Sequence, residues 1–249
     1  LGTIFKIDTN GTTLTTLHHF AYSDGAAPYA GLIQATDGNL YGTALAGGSR
    51  GGGVVFRISA CPTFNDVPPT DPFYPFICTI AQAGITSGCG GGNYCPNDPV
   101  TRAQMAVFLL RAEHGSSYTP PTCTPPGIFG DVPCPSGFAV DWIEQLSIEG
   151  ITAGCGGGNY CPNNPVTRAQ MAVFLLRAEH GSAYTPPACT APGIFGDVTC
   201  PGGFAVDWIE QLYADGVTGG CSGSPLLYCP DNPNTRGQMA VFLVKAFGL

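Results

Sequence analysis

Two sets of residues in this 249-residue chain recur at spacings that carry chemistry: twelve cysteines and most of the nine basic side chains. The cysteines fall into close pairs. Cys89/Cys95 and Cys155/Cys161 frame the same C-GGGNY-C, and Cys221/Cys229 frame a longer insert. Cys123/Cys134 and Cys189/Cys200 flank Gly-Ile-Phe-Gly-Asp-Val, and Cys61/Cys78 complete the set. The simplest pairing is therefore local: Cys61–Cys78, Cys89–Cys95, Cys123–Cys134, Cys155–Cys161, Cys189–Cys200 and Cys221–Cys229, although spacing alone does not fix connectivity. Twelve thiols free to oxidise place the chain outside the cytosol. The rival chemistry is a metal, but C-x5-C without a second close pair or a nearby histidine matches no usual zinc spacing. No metal and no cofactor are expected.

The bases are equally patterned. Arg102, Arg168 and Arg236 each stand in a Thr-Arg-x-Gln box, and Arg111, Arg177 and Lys245 follow nine residues on. The second set falls in the last turn of a predicted helix, where a cation suits the helix dipole and needs no further role. The first set falls at the first helical position, where a cation opposes the dipole. Something must compensate: either a carboxylate such as Asp66, Asp131 or Asp197, which recur at matching positions, or an anionic ligand. A planar guanidinium fork suits carboxylate recognition in both cases. No Ser/His/Asp, Cys/His or paired-carboxylate constellation stands out, so neither a catalytic residue nor an enzyme is expected.

The elements that hold these residues are repeats. Cys89–Pro121 and Cys155–Pro187 differ at two positions, and a more divergent copy starts at Cys221. Upstream of each lies Phe-x-Asp-Val (64–67, 129–132, 195–198), an apolar segment and AGIT, EGIT or DGVT. Phe138, Trp142, Ile143 and Leu146 share one face at helical spacing, and Gly150 ends that helix. Thr167 with Gln170 makes a capping box for a second helix, with Met171, Phe174, Leu175 and Ala178 as its apolar stripe. Three helix–loop–helix units result, 60–121, 122–187 and 188–249, separated by Pro-rich joints. Residues 1–59 differ: alternating runs at 2–8, 12–20, 30–36, 39–45 and 53–59 predict strands, and GTIFKI (2–7) is nearly repeated by GVVFRI (53–58). Charged residues are only 10% and the net charge is −8, which argues against nucleic acid. No apolar run is long enough for a membrane span. Leu1 is not followed by a basic and apolar leader, so any export signal is expected to have been removed.

The motif order Phe-x-Asp-Val, Trp-bearing helix, Gly-Ile-Thr-x-Gly, Tyr-x-Pro and Thr-Arg-Ala-Gln over residues 60–249 resembles the S-layer homology domain. GLIQATDGNLYGTALAGG within residues 1–59 resembles the Gloeobacter/Verrucomicrobia-type propeller repeat, a family without an assigned activity. The expected fold is α+β: a small N-terminal antiparallel sheet, one propeller-like blade, then three disulfide-stapled units in a pseudo-threefold arrangement. The first resemblance implies a helical spindle whose grooves hold cell-wall polysaccharide, with the box arginine as main contact to acidic sugar. Arg102, Arg168, Arg236, Asp66, Asp131, Asp197, Trp142 and Trp208 are the candidate glycan-binding residues. The sequence departs from that family at Gln104, Gln170 and Gln238, where Glu is usual, at Gly237 and at Phe76, which replaces the tryptophan. The expected function is a non-enzymatic, extracellular cell-surface module that anchors to an anionic envelope or cell-wall polysaccharide. The alternative is a structural subunit that assembles with copies of itself through the spindle and the open β-edges.

Overall fold

A computed structural model describes every residue except 8, 9, 13, 36–38, 59, 60 and 63. It divides into two compact units, Leu1–Thr63 and Phe64–Leu249.

In the first unit, strand β1 (Gly2–Ile7) pairs antiparallel with β2 (Leu14–Phe20), and β3 (Ile33–Gln34), β4 (Leu40–Ala44) and β5 (Val54–Ile58) form a separate antiparallel sheet in that order. The single sheet expected from the sequence is thus two. The near-copies explain why: β1 pairs with the strand that follows it and β5 with the strand that precedes it, so each serves a different sheet. Ile4, Phe20 and Ala44 are buried, and the Phe20 and Phe56 rings meet edge to face at 5.0 Å. Residues 8, 36 and 59, at the ends of three expected strands, lie outside the described residues.

The second unit holds six helices: α1 (Tyr74–Gln82), α2 (Arg102–His114), α3 (Val140–Ile148), α4 (Arg168–His180), α5 (Val206–Ala214) and α6 (Arg236–Phe247), with a short hairpin of β6 (Ser222–Gly223) and β7 (Leu226–Leu227). Thr101, Thr167 and Thr235 cap α2, α4 and α6, each accepting the backbone N–H of Gln104, Gln170 or Gln238, whose side chain accepts the Thr N–H in return. Gly150 takes φ +72° just past α3, a backbone conformation that suits glycine.

The helix–loop–helix unit is not the packing unit. Helix α3 packs on α2, α5 on α4 and α1 on α6, while α2, α4 and α6 contact one another. The first helix of each repeat therefore rests on the second helix of the repeat before it, and the last repeat supplies that support to the first. Each Pro-rich joint carries the chain from a second helix to the helix that lies against it. Carboxylates of the incoming helix fix the joint: Asp141 accepts the Cys123 N–H at 2.8 Å, and buried Glu144 accepts the Ile128 N–H at 2.8 Å. Bridges Cys89–Cys95, Cys123–Cys134, Cys155–Cys161, Cys189–Cys200 and Cys221–Cys229 staple loops and joints, and Cys61 and Cys78 are also disulfide-bonded.

One core runs through the six helices, with Met105, Leu109, Met171, Leu175, Met239 and Leu243 fully buried. At its centre Val100, Val166 and Asn234 form a closed ring of backbone hydrogen bonds. Val100 N–H donates to Asn234, Asn234 to Val166 and Val166 to Val100, at 2.8–2.9 Å.

Candidate functional site

The three box arginines sit at the junctions between repeats and are almost wholly buried, at 3%, 3% and 4% exposure for Arg102, Arg168 and Arg236. Each Nε–H donates to the carbonyl of a tyrosine in the next repeat: Arg102 to Tyr160 at 2.6 Å, Arg168 to Tyr228 at 2.7 Å and Arg236 to Tyr94 at 2.7 Å. Each tyrosine hydroxyl donates back to the carbonyl of the same arginine at 2.8 Å. The guanidinium carbon lies 4.6–4.7 Å from that tyrosine ring, and a phenylalanine ring lies 5.3–5.5 Å away. Such placement over aromatic faces stabilises a cation taken out of water.

This arrangement also answers the dipole question. The N–H groups of Arg102 and Ala103 donate to the carbonyls of Asn164 and Pro162, those of Arg168 and Ala169 to Asn232 and Pro230, and those of Arg236 and Gly237 to Asp98 and Pro96. The exposed N–H groups that give a helix start its positive end are thereby satisfied by the neighbouring loop. The carboxylates expected to compensate the arginines do other work. Asp66 accepts the N–H groups of Tyr94 and Cys95 at 2.7 Å, and Asp131 and Asp197 hold Tyr160/Cys161 and Tyr228/Cys229 in the same way at 2.7–2.8 Å. Among the described residues no arginine lies within 4.0 Å of a carboxylate, so a direct Arg–Asp tie is absent.

One nitrogen of each guanidinium, Nη2 of Arg102, Arg168 and Arg236, is buried with no hydrogen-bond partner. Burial pushes all three arginines below the ordinary arginine pKa, with the nearby tyrosine and Asp charges opposing that shift. Arg236 lines a groove of about 380 Å³ with Thr86, Ser87, Gln104, Arg111 and Phe138. Arg168 lines a second of about 280 Å³ with Phe73, Thr218, Gly219, Gln238 and Lys245. Each groove thus takes a loop and second helix from one repeat, the box arginine of the repeat before it, and an aromatic from the repeat after it. Backbone contact fixes the groove loop: Gly88 has φ +96°, and a Cβ there would lie 2.3 Å from the Asn93 carbonyl oxygen. Phe138 is 71% exposed, as is Phe204 at the corresponding position of the next repeat.

Trp142 and Trp208 line neither groove. They are half-buried, under Arg111 and Arg177 at 5.3 Å and against Tyr118 and Tyr184 at 6.0 Å.

Residues 63–106 and 133–172 match the family model of the S-layer homology domain. The chain also has relatives among known proteins. A cell surface protein of Thermoanaerobacter kivui is 31% identical over 120 residues, 48% of this chain and 16% of that protein. A surface-layer 125 kDa protein of Lysinibacillus sphaericus is 27% identical over 131 residues, 49% of this chain and 10% of that protein. An endoglucanase of a Bacillus species is 28% identical over 184 residues, 71% of this chain but 18% of the enzyme. The chain spans less than a fifth of each of these relatives. The S-layer homology match and these relatives make the chain similar to proteins of the bacterial cell surface. No helix among the described residues is long and apolar enough to cross a membrane.

The residues missed in the sequence are Tyr94, Tyr160, Tyr228 and Phe138. The tyrosine follows Asn in every matched C-x5-C loop and recurs before the third Cys-Pro, a repetition that marks a buried anchor. Phe138 recurs as Phe204, but helical spacing assigned it to the apolar face with Trp142, Ile143 and Leu146, whereas it lies ahead of α3 and is exposed to a groove of a different repeat.

Proposed function

We propose that residues 60–249 form three S-layer homology units around a pseudo-threefold axis, and that their grooves hold an anionic polysaccharide of the cell envelope. The module tethers the protein to the cell surface and carries out no catalysis. The carrying observation is that Arg168 and Arg236, which line the two grooves, each keep a buried Nη2 with no hydrogen-bond partner. A desolvated cation with an unmet donor is best relieved by an anion, and a sugar carboxylate brings charge and acceptors together. Arg111 or Lys245 at the other side of the groove adds a second positive charge, while Thr and Gln side chains suit sugar hydroxyls. Phe138 supplies an apolar face for a sugar ring. The third unit repeats the capping box, the Asp-held Tyr-Cys turn and the arginine junction, which supports counting it with the other two. Arg102 occupies the corresponding repeat position in the first unit.

Calorimetric titration with purified wall polysaccharide tests this reading. Binding that disappears when the acid substituents are removed from the polymer supports it; equal binding to the neutral polymer contradicts it.

A second reading, self-assembly into an extracellular layer or filament, is favoured by the N-terminal unit, where Phe5, Ile7, Leu14 and Val55 are 54%, 52%, 60% and 78% exposed. Apolar side chains in outward rows on open sheets favour edge or face pairing. Electron microscopy showing ordered assemblies supports it, and persistent monomers at high concentration refute it.

A further inference from the structure

We propose that Glu113, His114 and Glu149 form a binding site for a divalent transition cation of the Zn²⁺ class, at the joint between the first two repeats. One ligand atom from each of the three side chains lies within 4.8 Å of the others. His114 Nε2 is 3.0 Å from Glu149 Oε1 and 3.9 Å from Glu113 Oε2. His114 is the last residue of α2 and Glu149 caps α3, so the negative ends of two packed helices meet at these carboxylates. Among the described residues His114 is the only basic group within ion-pair distance of either carboxylate. The charge of the site therefore favours a cation that the protein does not itself supply.

The ligands are held in place. The Tyr118 ring lies against the imidazole at 4.4 Å, and Gln145 Nε2 donates to Glu149 Oε1 at 2.7 Å. Glu149 Oε2 is buried and has no hydrogen-bond partner, which leaves a lone pair free for a metal. Partial burial and the Glu149 charge push the Glu113 carboxyl above the usual carboxylate range, with His114 opposing. An imidazole nitrogen with two carboxylates matches Zn²⁺ and its neighbours, with water completing the coordination, whereas Ca²⁺ and Mg²⁺ take oxygen ligands throughout. On binding, the cation takes the Nε2 lone pair, the ring proton moves to Nδ1, and the Nε2–H hydrogen bond to Glu149 is replaced by the metal.

The next joint provides an internal control. His180 and Glu179 recur there at 3.8 Å, but Asp215 stands where Glu149 would be, one methylene shorter, and lies outside ion-pair distance of His180. At the third joint the matching residues are Phe247, Gly248 and Ala83, which offer no ligand. The other grouping of ligand atoms, Asp197 with Cys221 and Cys229, has both sulfurs committed to a bridge. No free cysteine among the described residues competes for metal.

The test is a titration of the full, oxidised chain with ZnCl₂, followed by calorimetry and by thermal melting. The expected result is one saturable site per chain and a rise in Tm with Zn²⁺. Both effects are lost in His114→Ala and in Glu149→Gln, and both are retained in His180→Ala. Far-UV circular dichroism of the metal-free variants confirms that they fold, and Glu149→Gln keeps the shape of the side chain should His114→Ala be misfolded. No saturable binding by the wild type, binding that survives both site variants, or equal loss in His180→Ala would overturn the proposal.

Discussion

Arg236 and Tyr94, 142 residues apart, hold each other through two hydrogen bonds: Nε–H to the tyrosine carbonyl at 2.7 Å, and the tyrosine hydroxyl to the arginine carbonyl at 2.8 Å. Arg102 with Tyr160 and Arg168 with Tyr228 repeat the pair, so three reciprocal clasps join each repeat to the next, and Arg236 with Tyr94 closes the last onto the first. The arginine is thus a structural pin through Nε, with a buried Nη2 that has no hydrogen-bond partner. In the proposed function the side chain that seals the junction also presents charge to the groove.

Tyr94→Phe removes the returning hydroxyl and leaves the Arg236 carbonyl with its partner inside α6 alone. A loss of about 0.5–1.5 kcal/mol is expected, measured as a lower urea midpoint. Tyr160→Phe and Tyr228→Phe should cost similar amounts, because their partners and geometry are the same.

Alkaline titration reads the same tyrosines. Burial pushes the hydroxyls of Tyr94, Tyr160 and Tyr228 above the ordinary tyrosine range, outweighing the pull of the neighbouring arginine. A pKa raised by folding gives stability that is intact below the unfolded value, about pH 10, and lost as pH climbs toward the folded one. Phenolate absorbance should therefore show three of the ten tyrosines ionising only with unfolding. Ionisation of all ten in the folded protein near pH 10 would contradict the clasp.

Asn234 stands in the central ring where the other repeats have Val100 and Val166, and it is 0% exposed with neither amide atom hydrogen-bonded. Asn234→Val removes that unsatisfied amide and should stabilise the protein by about 1–3 kcal/mol. The urea midpoint should rise; a fall would mean that the amide has a partner.

The Cys123–Cys134 bridge spans 11 residues of a joint that brings α3 onto α2. Replacing both cysteines by alanine should cost about 2–3 kcal/mol, seen as a lower Tm under oxidising conditions and no change under reduction.

What the sequence made legible was local. Thr101 and Gln104 lie three residues apart, so their box can be read directly, and the helices follow from apolar spacing within a single turn or two. The junction was hidden because its partners are distant: Arg102 meets Tyr160, 58 residues on. A dipole argument offered Arg102 either a carboxylate such as Asp131 or an anionic ligand, and Asp131 holds the Tyr160 and Cys161 amides instead. The packing of α1 on α6 was hidden for a related reason, since each stripe fits a helix of its own repeat as well as one of a neighbour. Phe138 shows the same limit at the groove, where three repeats contribute to one wall.

Binding of an anionic wall polymer in the grooves is tested most directly by placing negative charge inside them without cutting the arginine clasps. Ser87 and Gly219 line the two grooves, and Ala153 is the exposed residue at the same repeat position. A Cβ on Gly219 meets nothing within 4 Å. Co-sedimentation with purified cell walls should therefore be strong for the wild type and abolished in Ser87→Glu/Ala153→Glu/Gly219→Glu at unchanged Tm. Equal sedimentation of the two proteins, or none by the wild type, would contradict the claim.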